Sequence, residues 1–140
     1  MTETRPYTDS LRRLRDAGLR PTRQRLALAR LLFDAGDRHV TAEQVHGEAL
    51  GAGIRVSLAT VYNTLNQFTR SGLMREVVVE PGRSYFDTNV DDHHHFFHVA
   101  SGRLEDISAE RLTLPTLPDS PDGTEVERVD VIVRVRDRGA

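Results

Sequence analysis

The chain has 140 residues and no cysteine, which excludes disulfide bonds and every metal site built on thiolates. Its length and its hydrophobic fraction of 38% fit one domain or two small ones. Because the sequence shows neither a membrane span nor a secretion leader, we expect a cytoplasmic protein without a membrane partner. Residues 1–76 hold 12 arginines and eight acidic residues, a net charge of +4, whereas residues 77–140 hold seven arginines and 13 acidic residues, a net charge of −6. This asymmetry favours a polyanion-binding module in the first half, followed by a module of another kind in the second half.

The first half of the chain predicts four helices. Each begins near a hydroxyl or acidic residue suited to capping an amino terminus, and glycines follow the later ones. The predicted N-caps are Thr8, Asp9 or Ser10 for the first helix, Thr22 for the second, Thr41 for the third and Ser57 for the fourth. The fourth helix, over residues 58–71, carries an apolar stripe at helical spacing that consists of Leu58, Val61, Leu65 and Phe68.

A hairpin is predicted directly after the fourth helix. Residues 74–80 and 83–87 are rich in strand-forming side chains, and Pro81-Gly82 between them is typical of a type II turn. Helices followed by a hairpin are the element order of a winged helix-turn-helix, in which the third and fourth helices form the helix-turn-helix pair.

The second half of the chain is predicted to be mainly strand. Short strands are expected at 96–99 and 103–107, a short helix at 108–113, and a half-buried strand at 126–136, where valines alternate with charged residues. The predicted fold class is therefore α+β, with a winged helix-turn-helix DNA-binding domain over residues 1–86 and a small β-rich dimerisation domain over residues 87–140. A three-stranded sheet leaves one face and an edge uncovered, so we expect a homodimer.

Three consecutive histidines are the strongest functional signal. Because side chains alternate along a strand, His93 and His95 are expected on one face and His94 on the other. With Asp87 upstream and Asp106 downstream, the pair forms a mixed nitrogen and oxygen site that suits Mn²⁺, Fe²⁺ or Zn²⁺.

Three motifs resemble the ferric uptake regulator superfamily of metal-responsive repressors. Residues 18–25 (GLRPTRQR) resemble its second-helix entry, and residues 58–65 (LATVYNTL) resemble its recognition helix. His93-x-His95, followed by Gly102 and Asp106, resembles its metal-binding core. The resemblance covers about residues 8–107 and implies a repressor that binds double-stranded DNA.

The resemblance also implies two sets of site residues. The metal ligands would be His39, Asp87, His93, His95 and Asp106, holding Fe²⁺ or Mn²⁺, with Zn²⁺ as an alternative in vitro. The DNA-binding residues would be Arg20, Arg23, Ser57, Thr60, Tyr62 and Asn63. Asn63 is suited to pairing with adenine, Tyr62 to a thymine methyl group or a phosphate, and arginines to the phosphate backbone.

Two departures from the family pattern resemble its iron response regulator branch. The family's Cys-x-x-Cys-Gly is replaced by His98-Val99-Ala100-Ser101-Gly102, so a structural cysteine-bound zinc is excluded, and Asn63 stands where the family usually has Arg. That branch is associated with haem sensing at the triple histidine. Haem as a second effector, or a second metal, would then use Asp92, His94 and His98.

Three other functions remain as alternatives. A His-x-His with a carboxylate also suits a small non-haem metalloenzyme. The chain could also be a sister peroxide- or manganese-sensing repressor, or a winged helix that binds protein instead of DNA. The recognition-helix motif and the basic first half favour a DNA-binding regulator that is not an enzyme.

Overall fold

Two units make up the chain in the computed structural model, which describes residues 8–139, with side chains from residue 9 onward. The first unit extends to Val90 and contains four α-helices and a three-stranded sheet. The second begins at Asp91 and contains another three-stranded sheet. The predicted α+β class is confirmed. Within residues 8–139, no helix has the length and apolar character to cross a membrane.

Hydroxyl side chains start three of the helices, as predicted. The helices are α1 (Thr8–Asp16), α2 (Arg23–Phe33), α3 (Ala42–Gly51) and α4 (Leu58–Arg70). Thr22, Thr41 and Ser57 each accept a hydrogen bond from the backbone N–H three residues later, at 3.2, 3.1 and 3.1 Å. These bonds satisfy donors that the first turn leaves without a helical partner. For α1 the expectation is corrected, because Thr8, Asp9 and Ser10 all lie inside its first turn and do not precede it.

The core of the first unit joins the apolar faces of all four helices. The predicted stripe of α4 is buried at Val61, Leu65 and Phe68 and partly buried at Leu58. The Phe68 ring lies 6.1 Å from the ring of Phe33 on α2. This packing fixes the orientation of α4 and leaves its opposite face toward solvent.

The predicted hairpin is present and gains a third strand. It consists of β2 (Arg75–Glu80) and β3 (Arg83–Asp87), and β1 (His39–Val40) pairs with the other edge of β3, all antiparallel. The pairing of β2 with β3 shifts by one residue between Val78 and Glu80, which is a β-bulge. Strand β1 was not predicted, because two residues are too short to show a periodicity.

The second unit is a sheet in the order β5-β4-β6. Strands β4 (His93–His98) and β5 (Leu104–Ser108) are antiparallel, whereas β6 (Ile132–Val135) runs parallel to β4. The bounds of two predicted strands are wrong: β4 begins at residue 93 instead of 96, and β6 covers only four residues of the expected 126–136. The predicted short helix is one turn of 3-10 helix at Ala109–Arg111.

Candidate functional site

Alternation along β4 brings two histidines and one carboxylate together. His93 and His95 are buried, with 5% and 2% exposure, and their rings lie edge to face with centroids 4.5 Å apart. Opposite them on β5, Asp106 places its Oδ1 at 3.5 Å from His93 Nε2 and 3.3 Å from His95 Nε2. Three ligand atoms thus converge within the 4.8 Å that a single metal ion can span.

The hydrogen bonding of His93 fits a metal ligand. Its Nδ1 lies 2.5 Å from the backbone oxygen of Asp91, and because a carbonyl only accepts, Nδ1 donates. Neutral His93 then has a lone pair on Nε2, which faces the Asp106 carboxylate, also an acceptor. A cation between these atoms could accept an electron pair from each. A backbone partner for the other ring nitrogen is the usual way in which proteins orient a metal-binding histidine.

A second group of site residues lies in one row across the sheet of the first unit. His39 on β1 and Arg75 on β2 are both direct partners of Asp87 on β3. Direct cross-strand partners have Cβ atoms about 4.5–5.5 Å apart on the same face. Asp87 and Arg75 are only 1% and 4% exposed, and Asp87 Oδ1 accepts a hydrogen bond of 2.9 Å from the Asn89 backbone.

Arg75 was missed by the sequence analysis. A single arginine at the start of a strand belongs to no motif, and its position opposite Asp87 depends on the bulge in the hairpin. A buried arginine beside a buried carboxylate compensates its charge, which otherwise would strongly destabilise the folded state. Arg75 therefore sets the electrostatic environment of Asp87.

Two contacts of Arg38, the residue that precedes β1, fix the position of His39. The Arg38 guanidinium donates two hydrogen bonds to the Glu48 carboxylate on α3, at 2.9 and 2.7 Å. The Arg38 backbone N–H also donates to Thr88 Oγ1, at 2.9 Å. The hydrogen bond from Arg38 lowers the pKa of Glu48, so the ion pair is fully charged at neutral pH.

The other histidines of β4 have different surroundings. His94 Nδ1 accepts a hydrogen bond of 3.1 Å from the Val131 backbone N–H. His94 and Asp92 line a cavity of about 380 Å³ in the second unit. His98 Nε2 instead lies 3.1 Å from the Arg103 guanidinium and 3.8 Å from Glu105. Among the residues that the structure describes, neither His94 nor His98 belongs to a group of three potential metal ligands.

The exposed face of α4 carries the predicted DNA-reading residues. Tyr62 and Asn63 are exposed, opposite the buried stripe. Ser57, at the N-cap, donates a hydrogen bond of 2.9 Å from its hydroxyl to Thr60 Oγ1, so both hydroxyls are oriented at the amino end of the helix. A helix amino terminus attracts anions such as phosphate.

A hydrogen bond joins Tyr62 to the preceding helix. Its Oη donates to Glu43 Oε1 on α3, at 2.6 Å. This bond lowers the pKa of Glu43 and raises the pKa of Tyr62, so at neutral pH the pair consists of a carboxylate and a neutral phenol. Glu43 was not singled out by the sequence analysis, because its partner lies 19 residues further along the chain.

The basic residues at the start of α2 are placed by a contact with α4. Arg20 and Arg23 are exposed. Arg25 donates to Gln67 Oε1 on α4 from Nε and Nη2, at 3.2 and 2.9 Å, and to the Arg20 backbone oxygen at 2.8 Å. These bonds fix the turn before α2 relative to the helix that carries Tyr62.

Comparison with known proteins identifies the family. The model described as "Ferric uptake regulator family" matches residues 16–120. The chain belongs to the ferric uptake regulator family. The ferric uptake regulation protein of Legionella pneumophila is 38% identical over 98 residues, which cover 69% of this chain and 72% of that protein.

Solved structures agree with this assignment. The ferric uptake regulator of Pseudomonas aeruginosa, solved with manganese, is 28% identical and covers 92% of this chain and 98% of its own, with a TM-score of 0.69. The Vibrio cholerae ferric uptake regulator shares the fold at a TM-score of 0.72 and 23% identity, covering 92% of this chain and 100% of its own. The chain is thus a DNA-binding transcription regulator of the ferric uptake regulator family, with a winged helix-turn-helix as its first unit.

Proposed function

We propose that this ferric uptake regulator family member represses iron-homeostasis genes when it binds a divalent metal. The observation that carries the proposal is the convergence of His93 Nε2, His95 Nε2 and Asp106 Oδ1 in the second unit of a DNA-binding regulator. Fe²⁺ or Mn²⁺ is the proposed metal, with Zn²⁺ binding in vitro, because imidazole and carboxylate ligands suit these ions.

The proposed ligand set takes residues from both units. His39 and Asp87 are cross-strand partners in the first unit, and His93, His95 and Asp106 converge in the second. A metal that binds all five would stabilise one relative orientation of the two units over others. Such a shift in population is how a ligand changes DNA affinity without touching DNA.

We also propose that the chain is closer to the iron response regulator branch than to the cysteine-containing members. Asn63 and the sequence from His98 to Ser101 support this placement. Haem as a second effector stays a prediction. Because His94 Nδ1 accepts a hydrogen bond from the Val131 N–H, this nitrogen could bind iron only if that hydrogen bond were broken.

The alternatives have less support. A small non-haem metalloenzyme would need no exposed recognition helix, whereas Tyr62 and Asn63 are displayed on α4. A peroxide- or manganese-sensing repressor would have the same fold and a similar ligand set, so only the effector separates it from our proposal. A protein-binding winged helix would not show salt-dependent binding to duplex DNA.

A homodimer formed through the second unit is the proposed assembly, located in the cytoplasm with the DNA it binds. Its three-stranded sheet has β5 and β6 at its edges, and Ile132, Val133 and Val135 of β6 are only partly buried. Pairing with a twin sheet would cover this apolar surface. We expect light scattering at micromolar concentration to give twice the mass of the chain; a monomer both with and without Mn²⁺ would contradict the proposal.

The decisive experiment is a DNA titration of the metal-free, Mn²⁺-loaded and haem-loaded protein. The probe is a 30-base-pair duplex selected from a random pool by the Mn²⁺-loaded protein, with a scrambled duplex as control. We expect Mn²⁺ to tighten binding to the selected duplex. Equal affinity for both duplexes in all three states would contradict the proposal, and an effect of haem alone would make haem the effector.

Substitutions on α4 and α2 test the proposed DNA interface in the same assay. Tyr62→Ala is expected to weaken binding to the selected duplex by about 1–3 kcal/mol, the usual effect of losing one base contact. Arg23→Ala is expected to weaken both duplexes alike and to reduce the salt dependence, because a phosphate contact carries no sequence information. If Tyr62→Ala binds as the wild type does, α4 does not read the sequence.

A further inference from the structure

Glu43 is a negatively charged side chain on the surface proposed to meet DNA. It lies in the first turn of α3, is exposed, and accepts the hydrogen bond of Tyr62 Oη at 2.6 Å. Tyr62 itself is 39% exposed. A carboxylate on a surface that binds a polyanion weakens the electrostatic attraction on which non-specific binding depends.

One role of Glu43 is to stabilise α3, because acidic residues in the first turn interact favourably with the helix dipole. That role requires no contact with α4. The bond to Tyr62 is a short, charge-assisted one, of the kind that holds a side chain in a single orientation. An exposed tyrosine without such a partner would exchange among its rotamers.

The bond also determines what the Tyr62 hydroxyl can do. The hydroxyl has one proton, which it donates to Glu43, so only its acceptor lone pair is left for another partner. Phosphate oxygens are acceptors and gain nothing from that lone pair. In the major groove, the amino groups of adenine and cytosine are donors, and the thymine methyl group packs against an aromatic ring.

We propose that Glu43 is a specificity-determining positioning residue of the DNA interface: it holds Tyr62 as a hydrogen-bond acceptor toward base edges and weakens non-specific binding by its charge. The inference rests on the proposed DNA-binding role of α4. The Tyr62 hydroxyl then contacts base edges and does not contribute to phosphate binding.

Selection from a random duplex pool tests this directly, with the full-length Mn²⁺-loaded protein. The variants are Glu43→Ala, Glu43→Gln and Tyr62→Phe, with Gln44→Ala as the matched control on the neighbouring exposed position of α3. Glu43→Ala removes both the charge and the acceptor, Glu43→Gln removes only the charge, and Tyr62→Phe removes only the hydroxyl.

Glu43→Ala and Tyr62→Phe are expected to lose base preference at the same positions of the selected site. Each should lower the ratio of specific to non-specific affinity about 10-fold, the effect of one lost base contact. Glu43→Gln should keep the preferred bases, because its amide oxygen still accepts from Tyr62, and should bind the scrambled duplex more tightly. Gln44→Ala should select the wild-type site.

Two results would overturn the inference. One is that Glu43→Ala selects the wild-type site with an unchanged affinity ratio; the other is that it and Tyr62→Phe lose preference at different positions. Either result leaves the proposed function intact, provided that the wild-type protein enriches a site. If the wild-type protein enriches no sequence, the proposed function fails instead.

Discussion

Replacing His93 and His95 together with alanine is expected to weaken Mn²⁺ binding at least about 100-fold. Even the loss of a residue that only hydrogen-bonds to a metal ligand weakens metal affinity about 10- to 100-fold. The double substitution removes both imidazoles and leaves Asp106 as the remaining ligand of the cluster in the second unit. Calorimetric titration of the metal-free protein with Mn²⁺ measures the effect, and the DNA titration should lose its dependence on Mn²⁺ in parallel.

The matched controls are histidines on the opposite face of the same strand. His98→Ala and His94→Ala should leave Mn²⁺ affinity near that of the wild type, because alternation directs both side chains away from the His93/His95 face. His94→Ala also removes the hydrogen bond to Val131, so a loss of about 1 kcal/mol in the free energy of unfolding is expected.

If haem binds through His94, His94→Ala should also weaken the Soret band of the haem-loaded protein. Loss of Mn²⁺ binding in His94→Ala with retention in the double variant would show that our ligand assignment is wrong.

Phe68→Ala is expected to lower the free energy of unfolding by about 3–5 kcal/mol, the range found when a buried phenylalanine is truncated. Phe68 is fully buried and packs against Phe33, so its removal leaves a cavity beneath the proposed recognition helix. The four α-helices that residues 8–139 contain all lie in the first unit, so urea denaturation followed by helical circular dichroism reports on that unit. The midpoint should fall with little change in the denaturant slope.

Asn63→Ala is the matched control on the same helix. Asn63 is exposed on the opposite face from Phe68, and surface substitutions usually change stability by less than about 0.5 kcal/mol. A change of less than about 1 kcal/mol in Phe68→Ala would contradict the packing described for α4.

Local signals predicted the helices and the hairpin well. An N-cap hydroxyl bonds to an N–H three residues away, so Thr22, Thr41 and Ser57 could be recognised from short stretches of sequence. The face shared by His93 and His95 followed from the two-residue period of a strand. Asp87 and Asp106 were candidate ligands because they precede and follow the histidines in the sequence. His39 was supplied by the family resemblance and not by periodicity.

Features that depend on distant partners could not be predicted. Strand β6 is defined by its pairing with β4, which extends only from residue 132 to 135, whereas the alternation of valines begins earlier, at Val129. Glu43 matters because it accepts a hydrogen bond from Tyr62, and Arg75 matters because it lies opposite Asp87 on β3. A single sequence shows no pattern that joins such residues.

The bulge in the wing hairpin decides which charge faces Asp87. In a regular hairpin that pairs Glu80 with Arg83, the register would place Glu76 opposite Asp87. The shift between Val78 and Glu80 places Arg75 there instead and moves Glu76 opposite Phe86. Two adjacent carboxylates would repel each other, and one of them would tend to take up a proton. One extra residue in β2 thus exchanges repulsion for attraction. The charge that faces a proposed metal ligand depends on the length of a strand as well as on its side chains.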